Sequence, residues 1–96
     1  MSKSIIKGNQ KGVCYSCRRI TQTENHHIFG GGNRKKADRD GLTVYLCHSC
    51  HNEAPRGVHY DRERSDRLKR IGQWTWMEFY GKTKADFIKE YGKNYL

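Results

Sequence analysis

Four cysteines fall in two pairs, Cys14-Tyr15-Ser16-Cys17 and Cys47-His48-Ser49-Cys50. A CxxC turn aims two sulfurs at one point, and two such turns complete a tetrahedron around one ion. The spacing therefore predicts a structural zinc held by Cys14, Cys17, Cys47 and Cys50. A pair of disulfides is the rival pairing, disfavoured without a secretory context. All five histidines lie between positions 26 and 59. His26 and His27 are adjacent, and neighbours on a strand point to opposite sides. One can ligate a metal while the other faces a substrate. His51 follows the second cysteine pair and can reach the same ion. His59 arrives eight residues later, from a loop, as a candidate third ligand. His48 sits inside the second CxxC turn and reads as exposed.

The elements that must position these residues are short. Residues 21–29 (TQTENHHIF) read as a first strand and 42–46 (LTVYL) as a second, on β-branched and aromatic content. Between them come a glycine loop, 30–33, and a charged connection, 34–41. The second strand runs into the second cysteine pair, and a short helix is expected from His48 to Glu53. Residues 61–72 continue as a charged helix whose apolar stripe takes in Leu68, Ile71, Trp74, Met77 and Phe79. Gly72 weakens that helix without forbidding its continuation, and Gly81 ends it. Thr83 and Asp86 have capping-box spacing. A last helix follows with Phe87, Ile88 and Tyr91 inward and Gly92 as its cap. Residues 1–12 read as a flexible basic arm.

The chain has 96 residues, with 19 Lys+Arg against 10 Asp+Glu and a formal net charge of +9. That size suits one small domain needing a staple such as a metal. The excess positive charge points to a nucleic acid as partner. No apolar run approaches the ~20 residues of a membrane span. The polar, basic stretch 1–11 does not read as a secretory leader, so a cytoplasmic location is expected.

Glu24-Asn-His-His-Ile-Phe-Gly-Gly, followed by Leu42-Thr-Val-Tyr-Leu-Cys-His-Ser-Cys-His51, resembles the HNH nucleases, in particular small phage-encoded members. The resemblance spans Cys14 to about His59. It implies a small α+β fold: a ββα-metal finger between two CxxC zinc knuckles, with a C-terminal helical extension. The arm would cover 1–12 and a single nuclease domain 13–96, its metal-finger core about 13–60 and its helical tail about 61–96. It also implies roles. His27 matches the general base that takes a proton from the attacking water. His26 and His51 match ligands of a catalytic divalent ion (Mg²⁺, Mn²⁺, Ni²⁺ or Zn²⁺), with His59 as a further candidate. The family's middle Asn has no counterpart in place. Asn33 comes too early, so Asp40 or a backbone carbonyl is expected to orient His27. Arg34, beyond the glycine loop, is the expected phosphate contact. The substrate expected is DNA, with RNA open on charge alone. The alternative reading is a zinc-stabilised DNA-binding module without catalysis.

Overall fold

The computed structural model describes residues 3–96. Two strands, β1 (Glu24–His27) and β2 (Thr43–Leu46), pair antiparallel with Glu24 opposite Leu46 and His27 opposite Thr43. β1 is shorter than the 21–29 expected. Ile28 and Phe29 are buried in the core, although the Ile28 N–H still donates to the Leu42 carbonyl. Upstream, Val13 bridges Ile20 to close the first cysteine turn.

The charged connection expected at 34–41 is a helix, α1 (Arg34–Asp40), entered through a 3-10 turn at Gly31–Asn33. Its inward residues are Ala37 and Asp40, so apolar periodicity could not announce it. Gly41 ends α1 at φ 76°, a left-handed conformation that favours glycine. A Cβ at Gly41 would stand 2.5 Å from the Lys3 carbonyl oxygen, so the N-terminal segment packs where only glycine leaves room.

That packing corrects the expectation of a flexible arm for residues 3–12; residues 1–2 lie outside the described residues. Ile6 is buried. The Ile5 N–H donates to the Gly41 carbonyl at 2.9 Å, and Ser4 Oγ donates to the Thr43 carbonyl at 2.6 Å. Asn9 Oδ1 accepts from the Tyr45 N–H at 2.8 Å. β2 would otherwise present free backbone groups along its outer edge, and these side chains pair them.

After β2, Cys47 caps α2 (His48–Asn52). A loop leads to α3 (Arg62–Tyr80), whose cap Asp61 accepts from the Arg64 N–H. α3 runs unbroken through Gly72, where a Cβ would meet the Phe29 ring at 2.9 Å. The glycine lets the helix lie close against the end of β1. The buried face of α3 is Leu68, Gly72, Gln73 and Trp76. Trp74 and Phe79, expected on the apolar stripe, are 55% and 62% exposed. Trp74, six residues on from Leu68, comes round to the far side of the helix. Gly81 ends α3 in the left-handed region, and the capping box of Thr83 and Asp86 opens α4 (Lys84–Tyr91). Phe87 and Tyr91 are buried there as expected, but Ile88 is exposed. Phe29 meets Phe87, Tyr91 and Tyr95 at ring separations of 5.1–5.5 Å. This aromatic cluster joins β1 to the C-terminal helices. No helix among the described residues is long and apolar enough to cross a membrane.

Candidate metal centre

The first cysteine turn is tied by its own backbone. The Arg18 N–H donates to the Cys14 carbonyl, the Cys14 N–H to the Arg19 carbonyl, and the Cys17 N–H to Cys14 Sγ. The second pair straddles the start of α2, with the His51 N–H donating to the Cys47 carbonyl. A hydrogen bond from the Tyr15 N–H to the Tyr45 carbonyl draws the first turn against β2. All four cysteines are free, and their sulfurs lie within 4.8 Å of one another. The separation of Cys17 Sγ from Cys47 Sγ is 3.8 Å. A sulfur tetrahedron with Zn–S of ~2.3 Å has edges of ~3.8 Å, whereas a disulfide needs ~2.05 Å. Burial pushes the Cys14 thiol up, but N–H groups of Cys17 and Cys47 and the Cys17 thiol outweigh it and bring it down to about 6. Burial and the neighbouring thiols push Cys50 up to about 12. Thiolates this close repel one another unless a cation sits among them. The four cysteines thus form a structural metal site whose donors fit zinc.

A second cluster lies beside it. His26 on β1, His51 on α2 and His59 in the following loop bring one nitrogen each within 4.8 Å of the others. Their ring centroids are 4.9–5.4 Å apart. His59 reaches the cluster because buried Val58 anchors the loop, its N–H donating to the Cys50 carbonyl. Burial, then the charges of His51, His59, His27 and Lys69, hold His26 down at about 3. Burial, then His51, lowers His59. His26 is therefore neutral near pH 7, with a lone pair to offer a metal.

Glu24 was not singled out from the sequence. It stands two residues before His26, so strand alternation puts both on one face. Glu24 Oε1 accepts from His51 Nδ1 at 2.8 Å and from Asn52 Nδ2 at 3.1 Å. Glu24 Oε2 accepts from His48 Nδ1 at 2.9 Å. These imidazole hydrogen bonds hold the Glu24 carboxyl below its ordinary range. A proton on His51 Nδ1 leaves Nε2 as the free lone pair, the usual carboxylate–histidine arrangement of metal sites. His48 is exposed and turns to Glu24, not to the trio.

His27 takes the opposite face of β1. Its Nε2 lies 3.3 Å from Asp38 Oδ1 on α1. This corrects the expectation for Asp40. Asp40 is buried on the far side of α1, where it accepts from Trp76 Nε1 at 3.0 Å and Tyr91 Oη at 2.7 Å. Two Arg39 nitrogens also donate to it. Asn33 is engaged elsewhere, its Nδ2 donating to the Tyr91 carbonyl. Asp38 gave no signal in the sequence, because the helix that carries it had none. Exposed Arg34, the first residue of α1, lines an open cleft of about 300 Å³ with Asn25 and His26, His27, His51 and His59. Every residue singled out for the second metal, the base and the phosphate contact borders that one cleft. No family model, curated protein or solved structure matches the chain.

Proposed function

We propose that the chain is a metal-dependent endonuclease of the HNH type, hydrolysing DNA phosphodiester bonds, with a ββα-metal finger built from β1, β2 and α2. One observation carries the reading. Three imidazoles converge on a cleft while a fourth, His27, borders the same cleft and pairs with a carboxylate instead. A divalent ion held by His26, His51 and His59 would supply positive charge against the phosphate oxygens and the departing 3′-oxygen. The chain's own residues do the rest. With Nε2–H donating to Asp38, His27 keeps its lone pair on Nδ1. That atom takes the proton from water as the water attacks phosphorus, and the bond from phosphorus to the 3′-oxygen breaks. Arg34 meets a phosphate oxygen in a fork geometry. The net charge of +9 draws in the polyanion without reading its sequence. The zinc at the four cysteines is structural and takes no part in the step.

The test uses supercoiled plasmid, the zinc-loaded chain and a panel of divalent ions. His27→Ala should lose about 10²–10⁴ in rate while retaining the fold, the zinc and the second ion. His51→Ala should lose both cleavage and the second ion. A His27→Ala protein cutting at the wild-type rate would refute the assignment of the base. A chain that binds one equivalent of metal and never cuts would favour the non-catalytic binding module.

A further inference from the structure

A second polar cleft, of about 290 Å³, adjoins the first on the His27 face of the sheet. Strand register makes its floor: Asn25 stands opposite Tyr45 and His27 opposite Thr43, so these cross-strand pairs share one face. Asn25 borders both clefts. His27 lines the first, its partner Asp38 lines the second, and their contact bridges the two. The rim of the second cleft comes from the docked N-terminal segment, which contributes Lys3 and Lys11. Both lysines are exposed, and neither has a carboxylate partner among the described residues. The one acidic residue of the cleft, Asp38, is engaged by His27, so the rim is positive on balance.

We propose that this cleft holds the stretch of the DNA strand next to the scissile phosphate, with Lys3 and Lys11 on its phosphates and Asn25 and Tyr45 against the sugar and base. The inference rests on the nuclease reading and adds where the strand runs. A polyanion that continues out of the histidine cleft past Asn25 meets these two unpaired lysines next. It also gives the N-terminal segment a purpose beyond covering the edge of β2. Its anchors, Ser4 and Asn9 on the backbone of β2, set the two lysines at the rim.

The experiment measures binding of the zinc-loaded full chain to a fluorescent DNA duplex by anisotropy across a salt series, with no activating ion added. Three proteins are compared: wild type, Lys3→Ala/Lys11→Ala, and Lys82→Ala/Lys84→Ala. The last pair loses the same charge from the α3–α4 connection and the start of α4, and lines neither cleft. Each phosphate contact contributes about 0.9 to the log–log salt slope. The Lys3/Lys11 pair should therefore flatten the slope by about 1.8, with zinc content and circular dichroism unchanged, and the control pair should not. In the cleavage assay the Lys3/Lys11 variant should raise KM and leave kcat in place. Equal slopes for all three proteins, or equal losses in both double variants, would overturn the cleft assignment while leaving the nuclease reading standing. A wild-type chain that binds no duplex at low salt would bring down both.

Discussion

Replacing Glu24 with alanine tests whether the histidine trio is a metal site. Glu24 bonds His51 Nδ1 at 2.8 Å and His48 Nδ1 at 2.9 Å, but only His51 belongs to the trio. Removing the carboxylate frees the His51 ring to rotate and to take its proton on either nitrogen. Losing such a partner typically weakens metal binding 10–100-fold, about 1.4–2.7 kcal/mol. The Glu24 side chain is 40% exposed, so water substitutes in part and the loss should fall near the tenfold end of that range. The assay is calorimetric titration of Mn²⁺ or Ni²⁺ into the zinc-loaded chain, with zinc content measured beside it. Glu24→Gln keeps an oxygen for His51 and should lose less than Glu24→Ala. The thiolate zinc should be unaffected in both. Wild-type affinity in Glu24→Ala would refute the argument, because it would mean that His51 is not oriented through Glu24 or that the trio binds no metal.

The remaining predictions concern stability. Cys50→Ser should leave a largely unfolded or aggregated chain with less than one equivalent of zinc, since metal binding is a large part of folding in so small a domain; atomic absorption and a melting curve check it. Asp40→Ala strands the buried Trp76 and Tyr91 donors, which should cost about 2–5 kcal/mol and lower the melting temperature by about 10 °C or more. Burial raises the Asp40 carboxyl, but hydrogen bonds from Arg39, Tyr91 and Trp76 outweigh it and hold it below its ordinary 3.8. Its contribution is therefore full above that value and is lost as pH falls through the lower folded one, so the melting gap between variant and wild type should close in acid. Gly72→Ala should destabilise, by about 1–3 kcal/mol from overpacking against Phe29, although the same change in an exposed helix would stabilise by about 1 kcal/mol; chemical denaturation reads the sign.

The readings that held rest on short-range geometry. The cysteine pairs sit on tight turns, so spacing alone told where their sulfurs point. His26 and His27 separate to opposite faces because strand alternation is local. The Thr83–Asp86 capping box and the glycine caps of α3 and α4 are likewise written within a few residues. Two of the readings that failed turn on polar residues used as core or as anchors, and a third on helix phase. α1 went unread because its buried face is Ala37 and Asp40. Trp74 was placed on the buried stripe, and Trp76, which the core does take, was left out of it, because helix phase was judged from a drifting pattern. The arm was taken as free because its anchors, Ser4 and Asn9, are polar side chains bonded to the backbone of β2.

By itself the sequence determined which atoms are available for chemistry: four thiolates in two turns, a split histidine pair, a further imidazole after the second turn, and a strongly basic chain. Only the tertiary structure decided which carboxylate serves which ring. Glu24 reaches His51 across 27 positions, His27 reaches Asp38 across 11, and Asp40 reaches Tyr91 across 51. Acidic residues are common enough along the chain that no spacing selects among them. The choice falls to packing: strand register fixes the face His27 occupies, α1 turns Asp38 toward it, and the same helix turns Asp40 into the core, where Trp76 and Tyr91 hold it.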